Sequence, residues 1–237
     1  MKNKIIVFIP AYNCQNQIKR VIEQFDKQIQ NYFTTVLLVD NKSTDETPGI
    51  AINKAKETFE FCKFLAIENN KNYGLGGSHK VAFRYAIENN YDYLIVLHGD
   101  DQASIKDIIP LLKEGVHKKY DCLLGSRFMR NSKLAGYSKF RTFGNKVYNF
   151  LFSIIVGKRV YDLGSGLNLY SLKSFKKFHY KKFPDNLTFN YVMLLASYHL
   201  NQRILYFPIS WREDDQVSNV KLFTQAYAVL VMLLKFL

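Results

Sequence analysis

The chain has 237 residues, 48% of them apolar, and a formal net charge of +13. That length and apolar content suit one large α/β domain with a sizeable core and argue against a disordered chain. The charge selects anionic partners without choosing among phosphorylated ligands, nucleic acid and an acidic membrane surface. Cys14, Cys62 and Cys122 are odd in number, far apart and outside any CxxC or Cys/His spacing. This argues against a disulfide framework or zinc site and fits a reducing, cytosolic setting.

In chain order, residues 4–9 form an apolar first strand, too short and too soon broken by Pro10 and Asn13 for a signal peptide. Ile18, Val21, Ile22, Phe25 and Ile29 then recur at helical spacing, and residues 35–39 make a second strand. Thr47 and Pro48 read as N-cap and first position of a helix to about Phe59. Residues 64–67 form a third strand, and Gly74 to Gly77 lead into a helix carrying Val81, Ala82, Tyr85 and Ala86. A strand at 93–97, a helix starting near Asp107 and Pro110, and a strand at 121–124 follow. Repeated β-α units predict a mostly parallel sheet with helices on both faces. The second half is less regular, with strands at 167–170 and 204–209 and a helix at 189–200. A functional division, though not a domain boundary, falls near Ser126, between residues 1–125 and 126–220, with 221–237 as an apolar C-terminal helix. No stretch of about 18 residues is apolar enough to span a bilayer. The apolar run from Leu222 comes nearest, and reads as a buried closing helix, a surface-lying membrane helix or the start of a span, in that order.

The chemistry concentrates where strands end. YLIVLHGDDQ, from Tyr93 to Gln102, is an apolar run stopping in an acidic cluster. The carboxyl edge of a parallel sheet is where ligands bind, and carboxylates there suit Mg²⁺ or Mn²⁺ gripping a diphosphate. Pro10, Ala11, Tyr12 and Asn13 follow the first strand, and Asp40 with the Asn-Lys-Ser-Thr-Asp turn follows the second, on the same edge. Ser43, Thr44 and Asp45 read as turn and cap residues. Asp40 reads as a ligand for a ribose or base. Asn72, Gly74, Gly76 and Gly77 lie in a glycine-rich loop before a helix, suited to a phosphate but equally to a tight connection. It lacks the full GxGxxG and the Gly-Lys-Ser/Thr of a P-loop.

PAYN at 10–13, VDNKSTDET at 39–47, NYGLGG at 72–77, LHGDDQ at 97–102, GSRF at 125–128, YDLGSGLNLY at 161–170 and FPISWRE at 207–213 resemble, in order, the motifs of family 2 glycosyltransferases. The branch they most resemble is that of the dolichyl-phosphate mannosyltransferases, which move a sugar from a nucleotide diphosphate to a lipid phosphate. The resemblance covers nearly the whole chain. It implies an α/β fold of GT-A type, a Rossmann-like, mostly parallel sheet flanked by helices with an acceptor-binding C-terminal half. It also implies a metal-dependent inverting transferase working on a UDP- or GDP-linked sugar, with a polyprenyl phosphate as acceptor. The implied setting is cytoplasmic and peripheral to a membrane, and nucleic acid is not an expected partner.

By the same resemblance Pro10, Tyr12, Asn13, Asp40, Asn72, Gly74, Gly76 and Asp100 would bind the nucleotide, and Asp100 with His98 would hold Mn²⁺ or Mg²⁺. The family usually shows Asp-x-Asp where this chain has His98 and Asp100. His98 is either a ligand, favouring Mn²⁺ over Mg²⁺, or a hydrogen-bonding support. Arg127 and Arg141 would hold the donor diphosphate and acceptor phosphate, with a solvated basic face as the competing reading for Arg141. Gln102, Asp162, Ser165, Asn190 and Arg212 would line the acceptor side, although a structural turn remains open for the Asp162 loop and packing for Trp211. Asn190 stands where hydroxyl-using relatives carry a carboxylate base; asparagine cannot serve as one, unless Asp185 or Asp162 substitutes. The alternatives are a transferase using a sugar hydroxyl in surface-glycan synthesis, or a weakly active nucleotide-sugar binder.

Overall fold

The computed structural model describes residues 3–175 and 179–215. The apolar tail at 221–237 lies outside the described residues. The strands are β1 (Ile5–Ala11), β2 (Thr35–Asp40), β3 (Lys63–Glu68), β4 (Tyr93–Leu97), β5 (Cys122–Ser126), β6 (Lys133–Ala135), β7 (Leu167–Ser171), β8 (Ile204–Pro208) and β9 (Ser210–Arg212). The helices are α1 (Gln15–Glu23), α2 (Lys27–Gln30), α3 (Thr47–Thr58), α4 (Gly74–Glu88), α5 (Ile109–Lys113), α6 (Lys139–Val156), α7 (Leu172–Phe175) and α8 (Phe189–His199). Seven strands form one sheet in the order β3-β2-β1-β4-β7-β5-β8, and β6 and β9 pair as a separate ribbon.

The sheet is mostly parallel because β-α-β crossovers build its first half. The exception is β7, which runs antiparallel between β4 and β5 and stitches the second half into the first. Every residue of β1 and β2 is buried, as expected of strands covered on both faces. Ile18, Val21, Ile22, Phe25 and Ile29 fill one face with Ala51 and Ala55 of α3. On the other, Phe83 of α4 stacks on Phe175 with ring centroids 3.8 Å apart, beside Phe152 and Phe189.

Local chemistry adjusts two expected elements. The apolar run at 18–29 is two helices, because Asp26 leaves helical geometry and its carboxylate accepts from Gln28 N and Ile29 N to cap the second. Thr47 is the first residue of α3 rather than its cap, and its hydroxyl accepts instead from Cys14 N at 2.8 Å, joining the two loops after β1 and β2.

Register fixes the functional edge. Ala11 faces Asp40, and Asp40 faces Glu68. Leu97 faces Leu167, which sets His98 beside Gly166. The loops at 10–13, 40–45, 98–102 and 162–166 therefore leave the sheet side by side.

Candidate active site

The first two loops lock each other. Asn13, at φ +47°, accepts from Thr44 N through its side chain while its own N–H donates to Ser43 Oγ. Asp40 is 2% exposed, and both of its carboxylate oxygens take hydrogen bonds from Ser43, its N–H at 3.0 Å and its hydroxyl at 2.5 Å. The structure thus gives Asp40 a turn-building job ahead of the ligand role expected from its strand-end position. Asn72 accepts from Asn41 Nδ2 and Gly74 N, which moors the glycine loop to the same edge. Tyr12, 42% exposed, is the large open surface among these residues. Cys14 beneath it is no nucleophile, since burial pushes its thiol up to about 12.

The glycine loop faces protein, where a phosphate was one expectation. A Cβ on Gly76 would sit 2.3 Å from the Pro184 carbonyl, and one on Gly74 would sit 2.4 Å from that of Asp185. Gly77 N donates to Asp185 O. These residues are glycine so that α4 can meet the segment before α8.

The two adjacent aspartates after β4 have opposite environments. Asp100 leaves 37% of its side chain exposed, and its carboxylate caps its own turn, accepting from Gln102 N. Asp101, at φ +59°, turns inward to 2% exposure. There it meets Arg20 Nε at 2.6 Å, Gln24 Nε2 at 3.1 Å and the guanidinium of Arg212, whose Nε also donates to the Asp101 carbonyl. Sequence reading missed Asp101, Arg20 and Gln24; a second acidic residue directly after the exposed one, in a chain so rich in Arg and Lys, was the available signal.

His98 N donates to Gly166 O, and its ring packs where a Gly166 Cβ would lie 3.2 Å from it. Its Nδ1 is 3.9 Å from Asp100 Oδ2, and its buried Nε2 has no hydrogen-bond partner among the described residues. Those residues hold no group of three or more His, Cys, Asp and Glu side chains placed for a metal. They fit a cation held by one carboxylate with a diphosphate completing its shell, as Mg²⁺ and Mn²⁺ are often held.

Arg127 and Asp162 form a buried pair. Nε and Nη2 of Arg127 meet both Asp162 oxygens at 2.8 and 2.7 Å, Nη1 points to the Tyr137 hydroxyl, and the guanidinium lies over the Trp211 ring. Burial alone would lower the guanidinium pKa, but the charge and hydrogen bonds of Asp162 raise it overall, so the guanidinium stays charged. With its donors engaged, Arg127 holds the 162–166 loop against β5, where sequence had put it on the diphosphate. Asp162 and Ser165, expected on the acceptor, are 3% and 1% exposed and bonded inward. Trp211 is core, bridging Ala103.

Arg141, from α6, bonds Glu213 through Nη1 alone, at 2.8 and 2.6 Å, and Glu213 also accepts from Gln102 Nε2. Gln102 and Arg212 are thereby drawn into the clasp formed by residues 210–215. Asn190, in the first turn of α8, lines a small pocket with Asp162, Gly164 and Ser165. Of the carboxylates that might replace it as a base, Asp162 is held by Arg127 and Asp185 by Lys80 at 2.6 Å.

Residues 6–178 match the model of the Glycosyl transferase family 2 domain. A UDP-N-acetylglucosamine--dolichyl-phosphate N-acetylglucosaminyltransferase of Methanococcus voltae is 26% identical, over 74% of this chain and 73% of its own. An undecaprenyl-phosphate mannosyltransferase of Micrococcus luteus is 23% identical over 90% and 85%. Among solved structures, glucosyl-3-phosphoglycerate synthase of Mycobacterium tuberculosis, crystallised with Mn²⁺, UDP and glucosyl-3-phosphoglycerate, aligns with a TM-score of 0.70 at 14% identity, covering 99% of this chain and 80% of that one. The fold is thus the GT-A type expected, and the match over most of the chain makes this protein a glycosyltransferase belonging to glycosyl transferase family 2.

Proposed function

We propose that the chain transfers a sugar, with inversion, from a UDP- or GDP-linked donor to a polyprenyl phosphate, at the cytoplasmic face of a membrane to which it is peripheral. The observation that carries the acceptor assignment is that, among the described residues, none of the three candidate positions presents an unpaired carboxylate as a base. Asn190 cannot take a proton, and its candidate substitutes Asp162 and Asp185 are each committed to a cation. An ionised phosphate needs no base, whereas a sugar hydroxyl does. Relatives named for polyprenyl-phosphate acceptors support the same reading.

The donor nucleoside lies on the edge formed by Pro10, Tyr12, Asn13 and Asn72, with the exposed Tyr12 ring offering a stacking face. Asp100, with His98 beside it, would hold Mn²⁺ or Mg²⁺, which when bound supplies positive charge for the departing diphosphate. A phosphate oxygen of the acceptor attacks the anomeric carbon, the bond from that carbon to the donor phosphate breaks, and its electron pair leaves on the nucleoside diphosphate. Arg141, with Nη1 alone on Glu213, keeps donors for the acceptor phosphate. The buried clasp around Asp101 fixes the Asp100 turn, so that the carboxylate is placed before substrate arrives.

The test is a donor panel assayed with Mn²⁺ against a short polyprenyl phosphate and against an oligosaccharide. Transfer to the lipid phosphate alone is expected. Transfer to the oligosaccharide would favour the hydroxyl-acceptor reading, and donor binding without either product would leave a nucleotide-sugar binder.

A further inference from the structure

Among the described residues, nothing covers an apolar stripe on helix α6. Phe140, Phe143, Val147, Phe150 and Ile154 are 78%, 67%, 42%, 64% and 63% exposed. Their spacing of three, four, three and four residues places all five within an arc of about 80° along a helix of about 27 Å. On its opposite side Asn149 and Phe152 are buried against the domain. The helix is well terminated, with Ser138 capping its start and Gly157 at φ +66° ending it. The exposed stripe is therefore a face of a formed helix rather than a frayed end.

Charge identifies the occupant. Residues 126–161 contain eight Arg and Lys and no Asp or Glu. Arg127 and Arg141 are paired with Asp162 and Glu213, whereas Lys139 and Lys146, beside the stripe on the helix surface, and Lys158, just past its C-terminal end, form no ion pair among the described residues. An exposed apolar face flanked by basic residues is complementary to an anionic bilayer surface. We infer that α6 lies in the interface of such a bilayer, its aromatic stripe among the acyl chains and its lysines on the headgroups. The placement has a consequence at the site, because Arg141 on the same helix reaches Gln102 of the His98–Gln102 segment through Glu213. This seating deepens the proposed use of a lipid acceptor, and vesicle binding measures it without any sugar transfer.

The experiment is cosedimentation of the full chain with phosphatidylcholine vesicles, with and without phosphatidylglycerol. Binding is expected to the anionic vesicles and to weaken with salt. Phe143→Ser/Phe150→Ser and Lys139→Glu/Lys146→Glu should each reduce it roughly tenfold or more. Thermal melting and UDP binding of these surface variants should match wild type; Val147→Asn/Ile154→Asn provides a second apolar pair should the first fail to fold. Unchanged vesicle binding in the variants would overturn the inference, since another segment would then carry it. So would the absence of vesicle binding in the wild type, or a dimer by light scattering that Phe143→Ser/Phe150→Ser dissociates. If UDP binding fails while vesicle binding persists, it is the transferase reading that falls.

Discussion

Removing the Arg127 guanidinium separates the two roles open to that residue. In Arg127→Met the Asp162 carboxylate, 3% exposed, loses both of its charged hydrogen bonds and keeps only two backbone N–H donors, from residue 127 and from Gly164. Stranding one member of a buried pair costs about 3–5 kcal/mol. For a chain of this size that lowers the melting temperature by roughly 6–20 °C. Neutralising the partner as well, in Arg127→Met/Asp162→Asn, removes the stranded charge, and the amide oxygen still accepts from one of those two N–H groups, which sit on different oxygens of the carboxylate. The double variant should therefore recover about 2 kcal/mol or more relative to Arg127→Met, so that the two single effects are non-additive, as expected of contacting residues. The assay is denaturant unfolding of the two single variants, the double variant and wild type, with UDP affinity measured on the folded fraction of each. An Arg127→Met protein that melts within about 2 °C of wild type but no longer binds UDP would refute this reasoning, because it would show a guanidinium serving the diphosphate instead of Asp162.

Burial holds His79 down to about 3 against an ordinary 6.5, with Phe8, Phe83 and Phe189 around its ring. The unfolded chain therefore binds more protons between those values, and stability is lost as pH falls below 6.5, by about 2 kcal/mol at about pH 5 from this group. In His79→Leu the loss between about pH 7.5 and pH 5 should shrink by that amount; an unchanged loss would place the acid sensitivity elsewhere. If His98 Nδ1, 3.9 Å from Asp100, is a ligand, turnover with Mn²⁺ should exceed turnover with Mg²⁺. Equal rates with the two ions, or activity with a chelator present, would leave His98 as a support for the Asp100 turn.

The strand-end positions of Asp40, His98 and Asp100 were legible in the sequence, because apolar runs that stop in polar clusters encode the carboxyl edge of a parallel sheet. The antiparallel insertion of β7 was not, since Leu167 to Tyr170 reads as a strand in either direction. Nor could sequence divide labour between Asp100 and Asp101. The difference lies in a left-handed backbone at Asp101 and in the arrival of Arg20 and Arg212 from positions 81 and 111 residues away. The Arg127 pair was hidden for a similar reason: its partner is 35 residues downstream, and a motif cannot show that the guanidinium meets a buried carboxylate. The glycines at 74–77 signalled close approach correctly, but what they approach comes from residues 184–189.

Asp100 is the exposed carboxylate proposed to anchor a cation against a nucleoside diphosphate. Isothermal titration of UDP and GDP, with and without Mn²⁺, into wild type and Asp100→Ala tests this most directly. Mn²⁺-dependent uptake of one of the two nucleotides is expected, weakened at least about tenfold in Asp100→Ala, with melting unchanged because the side chain is partly exposed. Uptake of neither nucleotide, or equal affinity in Asp100→Ala, would contradict it.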